Sequence, residues 1–119
     1  LSRLDLIKGS RFEDAVCRVT FGVDVHSVKK EDETTTQYNR GTSSKPYDIP
    51  VRALIAKDVQ GLMMAGRCIS GDFVAHSSYR VTGNAAFMGQ AAGRVAALAA
   101  KQNVLPQNVN WSDVKWSVE

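Results

Sequence analysis

The stretch that most constrains this chain is residues 61–101, GLMMAGRCISGDFVAHSSYRVTGNAAFMGQAAGRVAALAAK. The short apolar run LMMA ends in a glycine, and a polar segment that contains His76 and Arg80 follows it. The stretch then closes on an alanine-rich run whose apolar residues recur with a helical period. This order predicts a buried strand, a ligand-facing loop and the start of a long helix.

The long helix is predicted over residues 82–101, with Thr82 as its N-terminal cap. Alanine, the strongest helix former, dominates the body of the helix. Gly89 and Gly93 lie four residues apart on one face, although glycine costs about 1 kcal/mol in a helix interior. They predict a close approach to another backbone, as when a helix packs on a sheet. The apolar face is predicted to consist of Ala85, Met88, Ala92, Val95 and Ala99.

Strand patterns precede this helix. Residues 19–25 and 47–55 alternate apolar with other residues, and Pro50 places the second strand at a sheet edge or a bulge. Residues 62–65 are apolar on both faces, as in a strand buried within a parallel sheet. The predicted fold class is therefore α/β, with a few-stranded sheet and a long C-terminal alanine-rich helix.

The remaining segments carry weaker patterns. Ser10 and Glu13 have the spacing of a capping box, which predicts a second short helix after a break at Gly9. Residues 27–46 are polar and predict a surface loop, part of which pairs as an edge strand. Beyond Pro106, a short tail helix is predicted from about Asn110, with Trp111 and Val114 facing inward.

Composition excludes several functions. A formal charge of +3, from 15 basic and 12 acidic side chains that are well mixed, makes no nucleic-acid-binding stripe. No apolar run approaches the roughly 18 residues of a membrane span, and the composition is typical of a soluble globular protein. Cys17 and Cys68 lack metal-ligand spacing and are interpreted as two buried hydrophobes. No targeting pattern is present, so the compartment stays open.

His76 and Arg80 are the candidate reactive residues. They stand four residues apart just before the helix, so they share one face if the segment is helical. Arginine offers a planar fork for a carboxylate, and histidine can move a proton near neutral pH. The first N–H groups of the helix favour an anion or a carbonyl that develops negative charge, and a phosphate would suit them equally. The alternative is a surface histidine and a structural arginine.

Four motifs carry a resemblance to a family. The chain has YDIPVR at 47–52, AGRCIS at 65–70, RV at 80–81 and GQAAG at 89–93, and the upstream GSRFEDAV and VDVH segments fit the same pattern. In these it resembles the C-terminal part of FAD-dependent oxidoreductases of the glutathione-reductase-like class. A more distant likeness is to the flavoproteins of fumarate reductase and succinate dehydrogenase, whose histidine–arginine–glycine–asparagine pattern is echoed here by His76, Arg80, Gly83 and Asn84.

The resemblance implies roles for particular residues. His76 and Arg80 match residues that lie near a dicarboxylate substrate in the distant relatives, and there the arginine also serves as a proton donor. Those relatives have an acidic residue where Arg67 stands, so the substrate is left open. The implied FAD contacts come from the strand end and the helix start: Gly66, Arg67, Ile69, Ser70, Asn84, Ala85 and Ala86. No metal site is implied.

The resemblance also implies a dinucleotide-binding unit with G-x-G-x-x-G, and this sequence contains no G-x-G. We therefore expect a single C-terminal fragment: residues 1–60 on the substrate side, 61–101 as the last strand and helix of the FAD-binding fold, and 102–119 as a tail helix. The fragment alone is expected to be inactive, to lose FAD and to self-associate through its unpaired strand. The alternative is a non-catalytic remnant or interaction module that keeps the fold but does not bind FAD alone.

Overall fold

The computed structural model describes residues 1–26, 42–114 and 116–118. Within these residues, three helices surround a small antiparallel sheet: α1 is Arg3–Lys8, α2 is Phe73–Tyr79 and α3 is Thr82–Gln102. The strands are β1, Ala15–Val19, and β2, Tyr47–Pro50. Short 3-10 turns cover Val51–Leu54, Gly66–Cys68, Pro106–Asn108 and Trp111–Val114. The predicted class, α/β with a few-stranded sheet and a long alanine-rich helix, is confirmed.

The second helix predicted after Ser10 does not form. The Ser10 hydroxyl donates to Oδ1 of Asp5 at 2.9 Å, and its carbonyl accepts the N–H of Asp48. Neither group is left to begin a helix, so the chain turns directly into β1. The α1 helix itself ends at Gly9, whose φ of 69° is the left-handed conformation that glycine tolerates best.

The first strand begins earlier than predicted. It covers Ala15–Val19, because Cys17, Arg18 and Val19 pair with Ile49, Asp48 and Tyr47, and residues 20–26 have no strand partner in the described part of the chain. The second strand is shorter than predicted, because the chain leaves it at Pro50 as a 3-10 turn. The register is irregular between Ala15 and Cys17, where Ala15 pairs with Pro50. Pro50 thus lies at the end of its strand beside a bulge, as expected for a residue without an N–H.

Residues 62–65 do not form a buried parallel strand. Met63 makes a single antiparallel bridge with Ile55, and Leu62 and Met64 are 44% and 36% exposed. The turn at Gly61, with a φ of 76°, returns the segment antiparallel to the residues just before it. The described residues offer this local partner and no parallel neighbour, so the doubly apolar pattern is not buried here.

Helix α3 covers the sheet. Met88, Val95 and Ala99 are buried, and Ala85 and Ala92 are half-buried, as the helical period predicted. The close backbone approach predicted at Gly89 and Gly93 is not made by the described residues, because a Cβ added at either glycine would meet no atom within 4 Å. The helix ends at Asn103 in the left-handed conformation.

The tail returns to the sheet after Pro106. The predicted tail helix is a single 3-10 turn, Trp111–Val114, in which Val114 is buried and Trp111 is half-buried. The indole Nε1 of Trp116 donates to the carbonyl of Val16 in β1 at 2.7 Å. The predicted loop lies mostly outside the described residues, but Lys45 within it donates its N–H to the carbonyl of Leu6.

The two cysteines differ, contrary to the interpretation that both are buried. Cys17 is 4% exposed, and burial, with a smaller contribution from the Asp48 charge, raises the pKa of its thiol to about 12. Cys68 is exposed at the end of the turn Gly66–Cys68. Both thiols are free.

Candidate functional site

Helix α2 carries His76 and ends directly before Arg80. Its N-terminus is fixed by Asp72, whose carboxylate accepts the N–H groups of Ala75 at 2.8 Å and of Arg3 at 2.7 Å. The same carboxylate thus joins α2 to α1. Arg80 is the C-terminal cap of α2 and donates its N–H to the carbonyl of His76, so the two residues are one helical turn apart.

The Arg80 guanidinium already holds part of the fold. Its Nη2 donates to the carbonyl of Asp24 at 2.8 Å, and the neighbouring Ser78 hydroxyl donates to the carbonyl of Phe21 at 2.7 Å. Ser78 in turn accepts the hydroxyl of Tyr47, and both side chains are fully buried. These bonds fasten segment 21–26 onto α2, so Arg80 has a structural role, and its guanidinium keeps N–H donors besides the one bonded to Asp24.

Segment 21–26, which Arg80 holds through the carbonyl of Asp24, carries a further polar pair. Nε2 of His26 lies 2.7 Å from Oδ2 of Asp24, and the His26 side chain is 71% exposed. Sequence reasoning predicted a strand over residues 19–25 and used VDVH as part of a resemblance, but it assigned no functional role to these side chains. The only available signal was the VDVH motif, whose distance of more than 50 residues from Arg80 hid the contact.

The predicted reactive histidine packs partly on an aromatic ring. The His76 ring lies 5.5 Å from that of Tyr79 in an edge-to-face arrangement, and the side chain is half-buried. Burial, followed by the charges of Asp72 and Cys68, raises the pKa of the Tyr79 hydroxyl, which donates to the carbonyl of Ile69. Tyr79 therefore stays protonated at neutral pH and acts as a fixed hydrogen-bond donor.

The glycine that ends the apolar run lies against the start of α3. Gly66 has a φ of 67°, and a Cβ added to it would lie 3.5 Å from the Cβ of Ala85. The turn Gly66–Cys68 thus contacts the first turns of the long helix, and the Arg67 side chain is exposed. These are the two segments that were predicted to share a ligand.

Ile69 and Ser70 continue the strand end in a different way. Ile69 is 6% exposed, so its side chain belongs to the hydrophobic core rather than to an open surface. Ser70 is exposed, and its N–H donates to the carbonyl of Ala53 at 2.9 Å. The adjacent Gly71 is also constrained, since a Cβ there would lie 2.7 Å from the Tyr79 ring. Sequence reasoning missed this glycine, because the requirement for a residue without a Cβ becomes visible only once Tyr79 is packed against it.

The N-terminus of α3 has no side-chain cap. The cap residue is Val81 rather than the predicted Thr82, and valine carries no oxygen to accept an N–H. The N–H of Ala85 bonds to the carbonyl of Val81, so the first-turn donors without a helical acceptor are those of Thr82, Gly83 and Asn84. Of the residues predicted to face a ligand here, Asn84 offers a free main-chain donor, whereas Ala85 and Ala86 offer only surface.

The site contains donors and no metal-binding cluster. In the described ranges, no group of three or more His, Cys, Asp and Glu side chains could hold a metal ion. No helix in those ranges is long and apolar enough to cross a membrane. The open glycine, the uncapped helix start and the exposed Arg67 suit a ligand that brings a carbonyl or an anion to a backbone surface.

Comparison with known proteins gives one family. Curated proteins and solved structures gave no significant match to the sequence. A family model described as FAD dependent oxidoreductase matches residues 1–118. FAD is therefore the cofactor of the intact protein, and the motifs that carried the resemblance lie within the matched range. The chain belongs to the FAD-dependent oxidoreductase family.

Proposed function

We propose that this chain forms one wall of the flavin site of an FAD-dependent oxidoreductase. The wall consists of the turn Gly66–Cys68 and the first turn of α3. The observation that carries the proposal is the contact between Gly66 and Ala85, which places a side-chain-free backbone beside an uncapped helix start. No G-x-G phosphate cradle occurs in these 119 residues, so the opposite part of the site is assigned to sequence outside them.

The residues of this wall fit FAD. The left-handed Gly66 carries no Cβ on the surface that a ribityl or pyrophosphate group would approach, and Arg67 beside it is exposed and positively charged. The N–H groups of Thr82, Gly83 and Asn84 have no acceptor in the helix and suit the negative charge of the reduced pyrimidine ring. FAD, when bound, accepts a hydride or electrons from the substrate. Among the implied contacts, Ile69 acts through its backbone, since its side chain is buried.

We assign His76 and Arg80 to the substrate side of the same site. The Arg80 guanidinium is fixed by the carbonyl of Asp24 through Nη2, which leaves its remaining N–H groups for a carboxylate. His76 lies one helical turn away, where it can hold or move a proton. The fixed position of the guanidinium lowers the entropy cost of orienting a substrate.

The experiment is a titration of the ¹⁵N-labelled chain with FAD, followed by amide chemical shifts. Because half of the site is absent, we expect weak binding, with a Kd on the order of 1 mM. The shifts should concentrate at Gly66, Arg67 and residues 82–84 and leave residues 99–102 unchanged. No shift at several millimolar FAD would favour the interaction module instead. Flavin that stays bound through purification would contradict the expected weakness.

A matched glycine pair controls this experiment. Gly66→Ala and Gly61→Ala introduce the same backbone strain, since φ is 67° and 76° at the two positions. Only the Gly66 methyl would enter the proposed flavin surface, whereas a Cβ at Gly61 meets no atom within 4 Å. We expect Gly66→Ala to abolish the FAD-dependent shifts and Gly61→Ala to keep them. Equal behaviour of the two variants would contradict the proposed wall.

Self-association stays a prediction. Leu62 and Met64 expose apolar surface on a segment that makes only one bridge among the described residues. Such a segment favours association with a second copy. Light scattering of the purified chain measures this directly, and a monomer at all concentrations would contradict it.

A further inference from the structure

A cleft lies between β1, α3 and the C-terminal tail, and it adjoins the proposed flavin wall at Asn84, which lines both. Its volume is about 350 Å³, within the range of small-molecule sites. Arg18 lines it from the sheet, Phe87, Gln90 and Arg94 line it from the helix, and Trp116 lines it from the tail. We propose that this cleft binds an aromatic carboxylate, held by Arg94 and Arg18 and flanked by the rings of Trp116 and Phe87. This proposal does not depend on the flavin proposal.

The charge of the cleft is positive and only partly neutralised. Arg18 and Arg11 share one carboxylate, Oδ1 of Asp48, at 3.0 Å and 2.9 Å, so this group keeps one positive charge in excess. Arg94 is exposed, and no described carboxylate lies within ion-pair distance of it. No aspartate or glutamate is found among the described residues that line the cleft. An anion would therefore meet two guanidinium groups, of which Arg18 is partly neutralised by Asp48, and no carboxylate among the described lining residues.

The guanidinium of Arg94 is already positioned. Its central carbon lies 5.1 Å from the centre of the Trp116 ring, and the indole is fixed by its hydrogen bond to the carbonyl of Val16. Stacking on a ring limits the rotamers of the arginine and leaves its N–H edge free for a bidentate acceptor. A carboxylate matches that edge in both geometry and charge.

The walls favour an aromatic body over a small inorganic anion. Phe87 is 53% exposed and presents its phenyl ring to the cleft. Together with Trp116 it gives the cleft two rings, and Gln90 adds a neutral polar group at its rim. A flat ligand that carries one carboxylate would bury the rings and meet the arginines at the same time.

The test uses benzoate as the probe and benzamide as its neutral counterpart of nearly the same shape. The reporter is the indole N–H resonance of Trp116 in the full 119-residue chain, assigned by Trp111→Phe, which removes the other indole. We expect a saturable shift with benzoate, with a Kd of about 1 mM. Benzamide should bind about tenfold more weakly. Equal binding of the two probes would overturn the proposal.

Variants separate the cleft from general charge effects. Arg94→Gln should weaken benzoate about tenfold, whereas Lys101→Gln, which removes the same charge from the exposed end of α3, should leave it unchanged. Gln90→Glu adds a negative charge at the rim without removing any contact of Arg94 and should also weaken benzoate. Circular dichroism checks that each variant is folded. If folded Arg94→Gln and Gln90→Glu both bind benzoate as tightly as the unaltered chain, the cleft is not the site.

Discussion

The two faces of α3 behave differently although they have similar composition. One face buries Met88, Val95 and Ala99 against β1 and the 3-10 turns that surround the core. On the opposite face, Gly89 and Gly93 are exposed, and a Cβ added to either would meet nothing within 4 Å. Alanine and glycine suit both situations, so only the larger residues show which face carries the stability of this chain. The open face is accessible to a partner and makes no stabilising contact with the described residues at these two glycines.

The largest effect is expected from the buried face. Met88→Ala removes most of a fully buried side chain and should lower the free energy of unfolding by about 2–5 kcal/mol. Urea denaturation of the variant and the unaltered chain measures this loss. Ala97→Ser, at an exposed position of the same helix, is the control and should change the stability by less than about 0.5 kcal/mol. A small effect of Met88→Ala would mean that the buried face is not packed as described.

The next effect extends the comparison to a closed glycine. Gly71→Ala would place a methyl group 2.7 Å from the Tyr79 ring, which is fully buried and cannot move without disturbing its bond to Ile69. We expect a loss of about 1–3 kcal/mol in the free energy of unfolding. In the double variant Tyr79→Leu/Gly71→Ala, the loss should be smaller than the sum of the two single losses, because the smaller leucine side chain leaves room for the methyl group. Additive losses in the double variant would argue against this packing.

The two cysteines give a second comparison between a buried and an exposed site, which can be tested by changing the pH. The Cys17 thiol has its pKa raised from 9.0 to about 12 by burial, so the unfolded chain releases this proton at a lower pH than the folded one. The stability should therefore fall as pH rises from about 9 to about 12. Urea midpoints across this range measure the fall, and Cys17→Ala should make it smaller. In the folded chain at pH 8, a thiol reagent should modify exposed Cys68 well before Cys17; equal rates would contradict the burial of Cys17.

The smallest effect is expected on the open face. Gly89→Ala adds a methyl group where no atom lies within 4 Å and improves helix propensity. It should raise the free energy of unfolding by up to about 1 kcal/mol, measured by the same urea denaturation. A loss of stability would show that this face is covered in solution, as by a second copy of the chain. It would contradict the description of one buried and one exposed face.

How far the sequence predicted the structure depends on whether the pattern is local. The long helix was predicted to within one residue at its C-terminal end, since alanine content and a helical period act within the segment itself. Strand positions were less accurate: β1 was placed too late, and residues 62–65 were assigned to a parallel sheet. Strand pairing depends on partners far along the chain, which periodicity does not identify.

The candidate site shows the same division. Motif spacing brought out Gly66 and the start of α3, and the fold places them in contact. It also selected Ile69, whose side chain is buried in the core, and took Thr82 for a cap that is in fact Val81. The contact of Arg80 with Asp24 and the pairing of His26 with Asp24 join distant segments, so no local pattern could reveal them.

The sequence by itself determined the family, the α/β class and the long helix. These follow from residue types and spacings that act over a few positions along the chain. Only the tertiary structure decided that Gly89 and Gly93 make no close backbone contact with the described residues, that Arg80 anchors segment 21–26, and that Arg18, Arg94 and Trp116 line one cleft. Each of these depends on contacts between residues far apart in sequence, whose formation is decided by packing of the whole chain.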